Sequence, residues 1–287
     1  MRVLITGAAG QLGHDTALAC SAAGDDVLAM TRGDLDVSSR DAVMGVVTSW
    51  RPDAVIHCAA WTAVDACESD PDRAFAGNAL AVRWVAEACH RVDAHLVHIS
   101  TDYVFDGTKP TPYHEWDVPN PASVYGASKL AGEREAMALG AGAAVVRTSW
   151  VCGEHGNNMV KTIMRLATER PALSFVDDQI GHPSMCADVA PMLRRIALDR
   201  RSGIHHVTNQ GAVSWYEFAR AVVAAMGKSP DIVSPITTAD LQPPRPAQRP
   251  ANSVLDNAML RVSGLPLLAD FRESLQTLVS RLSRASG

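Results

Sequence analysis

The stretch TGAAGQLG at residues 6–13 decides which fold class the sequence predicts. It sets Gly7, Gly10 and Gly13 in a Gly-x-x-Gly-x-x-Gly spacing, directly after the apolar run RVLIT at residues 2–6. Glycine in such a turn allows dihedral angles that other residues resist, and it lets the backbone approach a diphosphate. The helix expected after the turn would aim its first N–H groups at that diphosphate. A strand, a glycine turn and a helix predict a dinucleotide-binding unit, although similar glycines also occur in ordinary loops.

Outward from this turn, the first 150 residues alternate between short apolar runs and helical patterns. The apolar runs lie at residues 2–6, 26–30, 53–57, 95–100 and 143–148. The helical patterns lie at residues 11–24, 40–50, 71–91 and 123–140. Strands that alternate with helices predict a parallel sheet, and nearly continuous apolar runs are typical of strands covered on both faces. We therefore predict an α/β fold with a Rossmann-type, doubly wound parallel sheet.

The alternation loosens after residue 150, which indicates a second, smaller unit. We predict helices at 157–170, near 187–200, from Ser214 to Met226 and at 268–283, a loop at 176–184 and a short strand at 204–209. Ser214 followed by Glu217 is typical of a capping box at a helix start. The proline-rich stretch 229–252 is expected to be an ordered, extended loop. The predicted division is a dinucleotide-binding domain at 1–152, with 186–208 packing back onto it, and a C-terminal substrate-binding domain formed by 153–185 and 209–287.

Composition and charge exclude several classes of function. The formal net charge is −5, the isoelectric point is near 6.0 and there is no basic run, which argues against a nucleic-acid partner. The six cysteines form no Cys-x-x-Cys pair, so a reducing cytoplasmic compartment fits better than a disulfide framework. No apolar run is long enough to span a membrane, and because the first predicted strand begins at residue 2 we expect no signal peptide.

The end of the second predicted strand bears on the choice of cofactor. An acidic residue there would bind the ribose 2′-hydroxyl of NAD, whereas a basic residue would suit the 2′-phosphate of NADP. The sequence has Thr31 and Arg32 at this place, which favours NADPH, with NADH as the other possibility. Asp36 and Val37 are expected near the adenine. The alternative is that Arg32 is a solvated surface residue.

Tyr125 and Lys129 form the candidate catalytic pair. The chain has only four tyrosines and four lysines, and these two stand four residues apart, on one face of a predicted helix. A nearby ammonium favours the phenolate and lowers the pKa of a tyrosine, so that Tyr125 could protonate a carbonyl oxygen as hydride reaches its carbon. Thr101, after the fourth strand, offers a hydroxyl to the same carbonyl. The alternatives are a half-buried structural tyrosine and a threonine that only shapes a turn.

Taken together, these features resemble the extended short-chain dehydrogenases/reductases, and within them the dTDP-4-dehydrorhamnose reductase family. The matching stretches are TGAAGQLG (6–13), CAAWTAVDACES (58–69), STDYVFDG (100–107), VYGASKLAGE (124–133), VVRTSWV (145–151), VDDQIGHPS (176–184) and RPAQRPANSVL (245–255). They follow one another over most of the chain. The resemblance implies hydride transfer from NADPH to C4 of dTDP-4-dehydro-L-rhamnose, and a nucleotide-sugar substrate held without a nucleic-acid or membrane partner. A homodimer is possible.

The resemblance also implies roles for single residues. The catalytic residues would be Thr101, Tyr125 and Lys129. The cofactor-binding residues would be Gly7, Gly10, Gln11, Leu12, Gly13, Arg32, Asp36, Val37, Ala59, Ala60, Thr62, Tyr125 and Lys129. The substrate-binding residues would be Asp102, Tyr103, Trp150, Arg249 and Asn252. Asn78 matches an asparagine near the active site of extended members, and Ser253 belongs to the substrate-side motif.

The sequence departs from the family at one cation site. Some members are described as binding a divalent cation through glutamates at a dimer contact, but two matching positions hold Asp15 and Ala187. The histidines show no ligand spacing, so no metal site is predicted. Three rival functions stay open: a 4-keto reductase for another dTDP-deoxysugar, an epimerase of the same fold, and a non-catalytic regulatory subunit. The last would be expected to lack the tyrosine or the lysine.

Overall fold

The protein is described by a computed structural model that covers residues 1–285, with side chains described at all of these except 141 and 285. The strands are β1 Arg2–Thr6, β2 Asp26–Met30, β3 Ala54–His57, β4 His95–Thr101, β5 Ala143–Thr148, β6 Val151–Cys152, β7 Leu173–Val176, β8 Ile180–Gly181, β9 Ser184–Met185, β10 Gly203–His206, β11 Val213–Ser214 and β12 Val233–Ile236. The helices are α1 Gln11–Ala22, α2 Arg40–Trp50, α3 Val64–Ser69, α4 Pro71–Phe75, α5 Ala81–Val92, α6 Val124–Met137, α7 Met159–Glu169, α8 Cys186–Leu198, α9 Trp215–Ala225, α10 Ala258–Val262 and α11 Phe271–Ala285.

Six of these strands form one parallel sheet at the centre of the molecule. The strand order is β10-β5-β4-β3-β1-β2, and every neighbouring pair runs parallel. The predicted Rossmann-type sheet is therefore confirmed. The direction of strand succession reverses between β1 and β3, and the ends of strands at such a switch point open a crevice for a ligand.

Alternate residues of each strand pack into two separate cores, one on each face of the sheet. On β1, Val3 and Ile5 pack on one side with residues of α1 and α8, while Leu4 packs on the other with residues of α2 and α5. Side chains of a strand point to opposite faces in turn, so a continuous apolar run fills both cores. This explains why short runs of apolar residues were sufficient to locate the strands in the sequence.

A third core lies outside the sheet and is built by α7, α9 and α11. Ile163, Phe218 and Leu275 are fully buried there, together with Val233 of β12. The segment that follows α10 does not pack in this third core at Leu265, which lies instead in the core shared by α1 and α8. The boundary at residue 152 stays a prediction.

Several elements differ in detail from the predicted ones. The helix expected at 71–91 consists of α4, a π-helical turn at Ala76–Leu80 and α5. The helix expected at 123–140 ends at Met137, before Gly140 adopts a φ of +62°. The capping box of Ser214 and Glu217 is confirmed at the start of α9. The helix α3 was not predicted, because six residues are too few for a clear periodic signal.

Two further expectations concern cysteines and membranes. All six cysteines are free, as expected from their spacing, and five of them are buried. Among residues 1–285, no helix combines the length and the apolar character that a membrane crossing requires.

Candidate active site

Two adjoining cavities open at the carboxyl ends of the central strands. The larger one, of about 530 Å³, is bordered by the glycine turn after β1, by the end of β4 and by the start of α6. The second, of about 320 Å³, lies between the glycine turn and the loop after β2. Gly7, Gly10 and Ala60 line both cavities, so the two form one continuous cleft across the switch point.

The glycine turn has a shape that only glycine allows. Gly7 has a φ of +68°, and a Cβ atom there would lie 2.7 Å from the backbone nitrogen of Ala59. A Cβ atom on Gly13 would lie 2.3 Å from the carbonyl oxygen of Gly7. The turn after β1 is thus packed against the turn after β3, and α1 begins directly against it. This bare backbone at a helix start fits the diphosphate of a dinucleotide.

The second cavity gathers the residues predicted to select the cofactor. Arg32, Asp36, Val37 and Ala59 all line it. Arg32 lies on its exposed rim, where a basic group can meet a 2′-phosphate. The wall also includes Trp61, whose ring is covered by the guanidinium of Arg73 at 4.4 Å. No sequence motif predicts this pair.

Thr101, Tyr125 and Lys129 come together in the larger cavity. The Ser123 hydroxyl accepts the N–H of Gly126 and fixes the first turn of α6, so the side chain of Tyr125 enters the cavity one turn ahead of Lys129. Both side chains are buried, and the Lys129 ammonium donates to the carbonyl oxygen of Ile99 at 2.6 Å. The sequence interval of four residues therefore does put the two groups on one face.

The prediction that Lys129 lowers the pKa of Tyr125 was wrong. Burial raises the pKa of Tyr125 above its ordinary value, and the Thr101 hydroxyl only partly opposes the rise. Burial also lowers the pKa of Lys129 to about 8, from an ordinary value of 10.5. The ammonium is drawn to the Ile99 carbonyl, so desolvation outweighs the attraction that was expected to lower the tyrosine pKa.

Asp102 shares a hydrogen bond with Thr101 beside this pair. The Thr101 hydroxyl donates to Oδ1 of Asp102 at 3.0 Å and accepts the N–H of Tyr103 at 3.2 Å. Burial raises the pKa of Asp102 to about 6, against hydrogen bonds from Ser253 and Thr101 that lower it. The Thr101 hydroxyl is thus engaged with Asp102, and polarising a carbonyl would require it to turn away from that carboxylate.

A buried polar network holds α6 in place behind the predicted catalytic residues. Asn78, in the π-helical turn, accepts the N–H of Trp61 at 2.7 Å and donates to the hydroxyl of Ser128 at 3.0 Å. Arg147 and Glu133 form a buried ion pair at 2.7 Å, which joins α6 to β5. The structure therefore gives Asn78 a positioning role, linking the loop after β3 to the helix that bears Tyr125 and Lys129.

Trp150 and Trp215 build an aromatic wall on the other side of the cavity. Their rings stack with centroids 3.6 Å apart and planes 8° apart. Trp150 has a φ of +44°, which is rare for a large residue and is frequently associated with functional sites. Trp215 follows the capping residue Ser214 and was missed, because no local motif shows that α9 begins at this wall.

Three of the predicted binding residues have their polar groups engaged by other parts of the protein. Arg249 lines a small cavity with Tyr103, Trp150 and Trp215, but its guanidinium is paired with Asp65. Gln11 lines the larger cavity, but its side-chain amide is occupied by the loop at 153–158, to which it makes three hydrogen bonds. Asn252 lies outside the three cavities described above, since its amide donates to the carbonyl oxygens of Lys109 and Thr111. Leu12 and Thr62 do line the larger cavity.

The described residues contain one group of side chains that could share a metal ion. Ligand atoms of His14, Asp15 and His155 lie within 4.8 Å of one another. The two imidazole rings lie with centroids 3.5 Å apart and planes 36° apart. Asp15 and Ala187 border a separate cavity. The absence of a metal site stays a prediction.

Comparison with known proteins assigns the chain to a family. The family described as RmlD substrate binding domain matches residues 1–284. A dTDP-4-dehydrorhamnose reductase of Aggregatibacter actinomycetemcomitans is 42% identical over 267 residues, covering 89% of this chain and 90% of the relative. The chain belongs to the dTDP-4-dehydrorhamnose reductase family.

Two further comparisons bear on cofactor and substrate in this family. The crystal structure of a Bacillus anthracis dTDP-4-dehydrorhamnose reductase in complex with NADP has a TM-score of 0.93 and 39% identity, covering 98% of this chain and 99% of that one. A Streptomyces antibioticus protein is named a probable dTDP-4,6-dihydroxy-2-methyloxan-3-one 4-ketoreductase. It is 40% identical over 280 residues, covering 96% of this chain and 94% of the relative.

Proposed function

We propose that this protein reduces the C4 keto group of dTDP-4-dehydro-L-rhamnose with NADPH and so forms dTDP-L-rhamnose. The observation on which this rests most is the larger cavity, where Thr101, Tyr125 and Lys129 lie beside the glycine turn. The reaction is inferred from membership of the family, and the cavity is large enough to hold the reacting groups. The proton donor and the cofactor cradle are parts of one cleft, as reduction of a ketone requires.

The glycine turn and the loop after β2 would hold NADPH. The diphosphate would meet the backbone between Gly7 and Gly13, where a Cβ atom could not fit. Arg32 at the rim would meet the 2′-phosphate. NADPH bound in this way supplies the hydride that the C4 carbon receives.

Tyr125 would deliver the proton to the ketone oxygen. Its raised pKa keeps the phenol protonated through the physiological range, which suits a group that must donate rather than accept. Lys129, whose pKa is about 8, is mostly an ammonium at pH 7 and would stabilise the phenolate left after proton transfer. The Thr101 hydroxyl would turn from Asp102 to the developing alkoxide.

The substrate would enter between the aromatic wall and the proline-rich segment. Trp150 and Trp215 offer a flat apolar face for the sugar, and Tyr103 and Asp102 offer polar groups beside it. Arg249, whose side chain is 12% exposed, lines a small cavity with both tryptophan rings, and this position supports a role in binding the diphosphate. These assignments place the sugar over the catalytic group and the nucleotide toward residues 245–253.

The direct test is turnover by the purified protein. With NADPH and dTDP-4-dehydro-L-rhamnose, we expect one NADPH oxidised for each sugar converted, measured by cofactor absorbance and by chromatography of the sugar nucleotide. The isolated protein should hold little bound nucleotide, because a reductase must release its spent cofactor. Stoichiometric tightly held NAD, with sugar isomerised and no net change in cofactor, would identify an epimerase instead.

A second candidate is reduction of another dTDP-4-keto sugar. It is favoured by the Streptomyces antibioticus relative, which is 40% identical and is named a ketoreductase for a different 4-keto sugar. Both activities need the same catalytic group, so only the sugar pocket separates them. Comparing kcat/KM over a panel of dTDP-4-keto sugars decides between them, and we expect the highest value for the L-rhamnose precursor.

A further inference from the structure

Asp65 occupies an anion-binding cradle formed by the proline-rich segment. The Arg249 guanidinium is bidentate on this carboxylate, with Nη2 donating to Oδ2 at 2.7 Å and Nη1 donating to Oδ1. The N–H of Ala247 donates to Oδ1 at 3.2 Å, and Nη1 of Arg245 lies 3.8 Å from Oδ2. Two guanidinium groups and a backbone N–H are donors with which proteins bind phosphate groups. The cradle is therefore filled by a carboxylate of the chain itself.

This cradle lies at the entrance to the substrate side of the site. Arg249 lines the small cavity together with Trp150 and Trp215. Val64, the residue before Asp65, lines the larger cavity. An anionic group that extends from a sugar held at the aromatic wall would therefore come within reach of the two arginines.

The partners differ in how tightly the fold holds them. The Arg249 side chain is only 12% exposed, whereas the side chain of Asp65 is 37% exposed. Burying a guanidinium without a partner is costly, so Arg249 needs an anion beside it. Asp65 can meet that need and still rotate into solvent, because α3 has only six residues and presents this side chain at its first turn.

We infer that Asp65 is the resident counter-ion of this cradle, and that a nucleoside diphosphate displaces it on binding. This inference deepens the proposed function and rests on it for the identity of the ligand. Arg245, Arg249 and Asp65 together hold a net charge of +1, and displacement of the carboxylate leaves +2 to face the diphosphate. Asp65 thereby sets specificity, because a ligand must offer a stronger anion than a carboxylate in order to take its place.

The decisive variant is Asp65→Asn, which keeps the shape and removes the charge. The arginines then have no competing anion, and we expect the Kd for dTDP, measured by titration calorimetry, to fall about tenfold. The Kd for NADPH should not change, since the glycine turn binds it elsewhere. Asp270→Asn is the matched control, because Asp270 and Arg272 form another ion pair, with side chains 39% and 56% exposed. It should leave the Kd for dTDP unchanged.

The opposite result would show a permanent clip between α3 and the proline-rich segment. An unchanged or higher Kd for dTDP in folded Asp65→Asn overturns the inference. Should Asp65→Asn fail to fold by circular dichroism, Arg245→Gln decides the question, with Arg272→Gln as its control. A counter-ion cradle requires Arg245→Gln to weaken dTDP binding about tenfold, and an unchanged Kd contradicts it. These titrations need no turnover, so they fail separately from the proposed reductase activity.

Discussion

Tyr125 presents a buried phenol to the catalytic cavity, and its removal gives the simplest test of the chemistry. In Tyr125→Phe we expect turnover to fall by about two to four orders of magnitude, the range for loss of a positioned acid. The Kd for NADPH should be retained, because the ring stays in place. Tyr216→Phe on α9 is the control, since that hydroxyl accepts a hydrogen bond from Arg220 at 3.4 Å and lines none of the cavities described above. Near-normal turnover in Tyr125→Phe would remove this residue from the mechanism.

Lys129 makes activity and stability respond to pH in opposite directions. Its pKa in the folded protein is about 8 because of burial, so the ammonium is lost as pH rises through 8. We expect kcat/KM to fall above that pH by about tenfold per pH unit, measured with buffers of constant ionic strength.

The free energy of unfolding changes with pH in the opposite direction to the activity. The unfolded chain keeps the Lys129 proton up to about pH 10.5, while the folded chain releases it near 8. The unfolded state therefore binds more protons between these values, and the free energy of unfolding should rise with pH, by on the order of 3 kcal/mol relative to Lys129→Met. Urea titrations at pH 7.5 and pH 10 measure the difference. Equal changes in both proteins would mean that the ammonium is solvated.

Arg32 offers a test of cofactor choice that leaves the catalytic group alone. It lies exposed on the rim of the cavity that Asp36 and Val37 also line. In Arg32→Asp the charge that would attract a 2′-phosphate is reversed, so the kcat/KM ratio of NADPH to NADH should fall by at least about tenfold. Arg91→Asp, an exposed change on α5, should keep the ratio. An unmoved ratio in Arg32→Asp would show that this arginine faces solvent.

The junction of β1 and α1 depends on contacts that no side chain can enter. A Cβ atom on Gly13 would lie 2.3 Å from the Gly7 carbonyl oxygen, so Gly13→Ala must push α1 away from the glycine turn. We expect the Kd for NADPH to rise by at least about tenfold, measured by fluorescence titration. Gly45→Ala on α2 is the control, since a Cβ atom there meets nothing within 4 Å. It should keep NADPH binding and gain up to about 1 kcal/mol of stability.

The helix α3 was not predicted from the sequence, yet it contacts two segments that border the site. At its first turn Asp65 binds Arg249, and near its end Glu68 accepts the N–H of Val124 at 2.8 Å, at the start of α6. It therefore connects the proline-rich segment to the helix that bears Tyr125. Short helices of this kind are stabilised by tertiary contacts rather than by their own propensity, so periodicity does not reveal them.

The reactivity of the cysteine thiols depends on the packing of the whole molecule, because most of these thiols are buried. Five of the six cysteines are buried, and burial raises the pKa of Cys89 and of Cys152 to about 12. A protonated, covered thiol does not react, so labelling at pH 8 should require unfolding. We expect the fraction of thiols that reacts with Ellman's reagent to follow the urea unfolding curve measured by circular dichroism.

Burial raises the pKa of Cys58 to about 12 as well, but this thiol is only half-buried and lines both cavities, so its accessibility makes it the expected exception. In Cys58→Ser the remaining five thiols should react in a single phase with global unfolding. Reaction of several thiols well below the unfolding midpoint would indicate that one core opens before the others.

The sequence by itself determined the features that depend on neighbours along the chain. The glycine turn at 6–13, the apolar strands, the capping box at Ser214 and the interval between Tyr125 and Lys129 are all local, and local geometry fixes what such patterns can form. The order of these elements then predicts the parallel sheet. The pKa of Tyr125 was missed for the converse reason: burial depends on everything packed around the side chain.

Only the tertiary structure decided which distant residues share the site. Trp215 reaches Trp150 because α9 begins at the cavity, and Asp65 meets Arg249 although 184 positions separate them in the sequence. Asn252 belongs to a matching motif and still turns its amide to the carbonyl oxygens of Lys109 and Thr111. A pattern of residues fixes which groups are available, whereas packing and charge pairing fix the direction in which each group points.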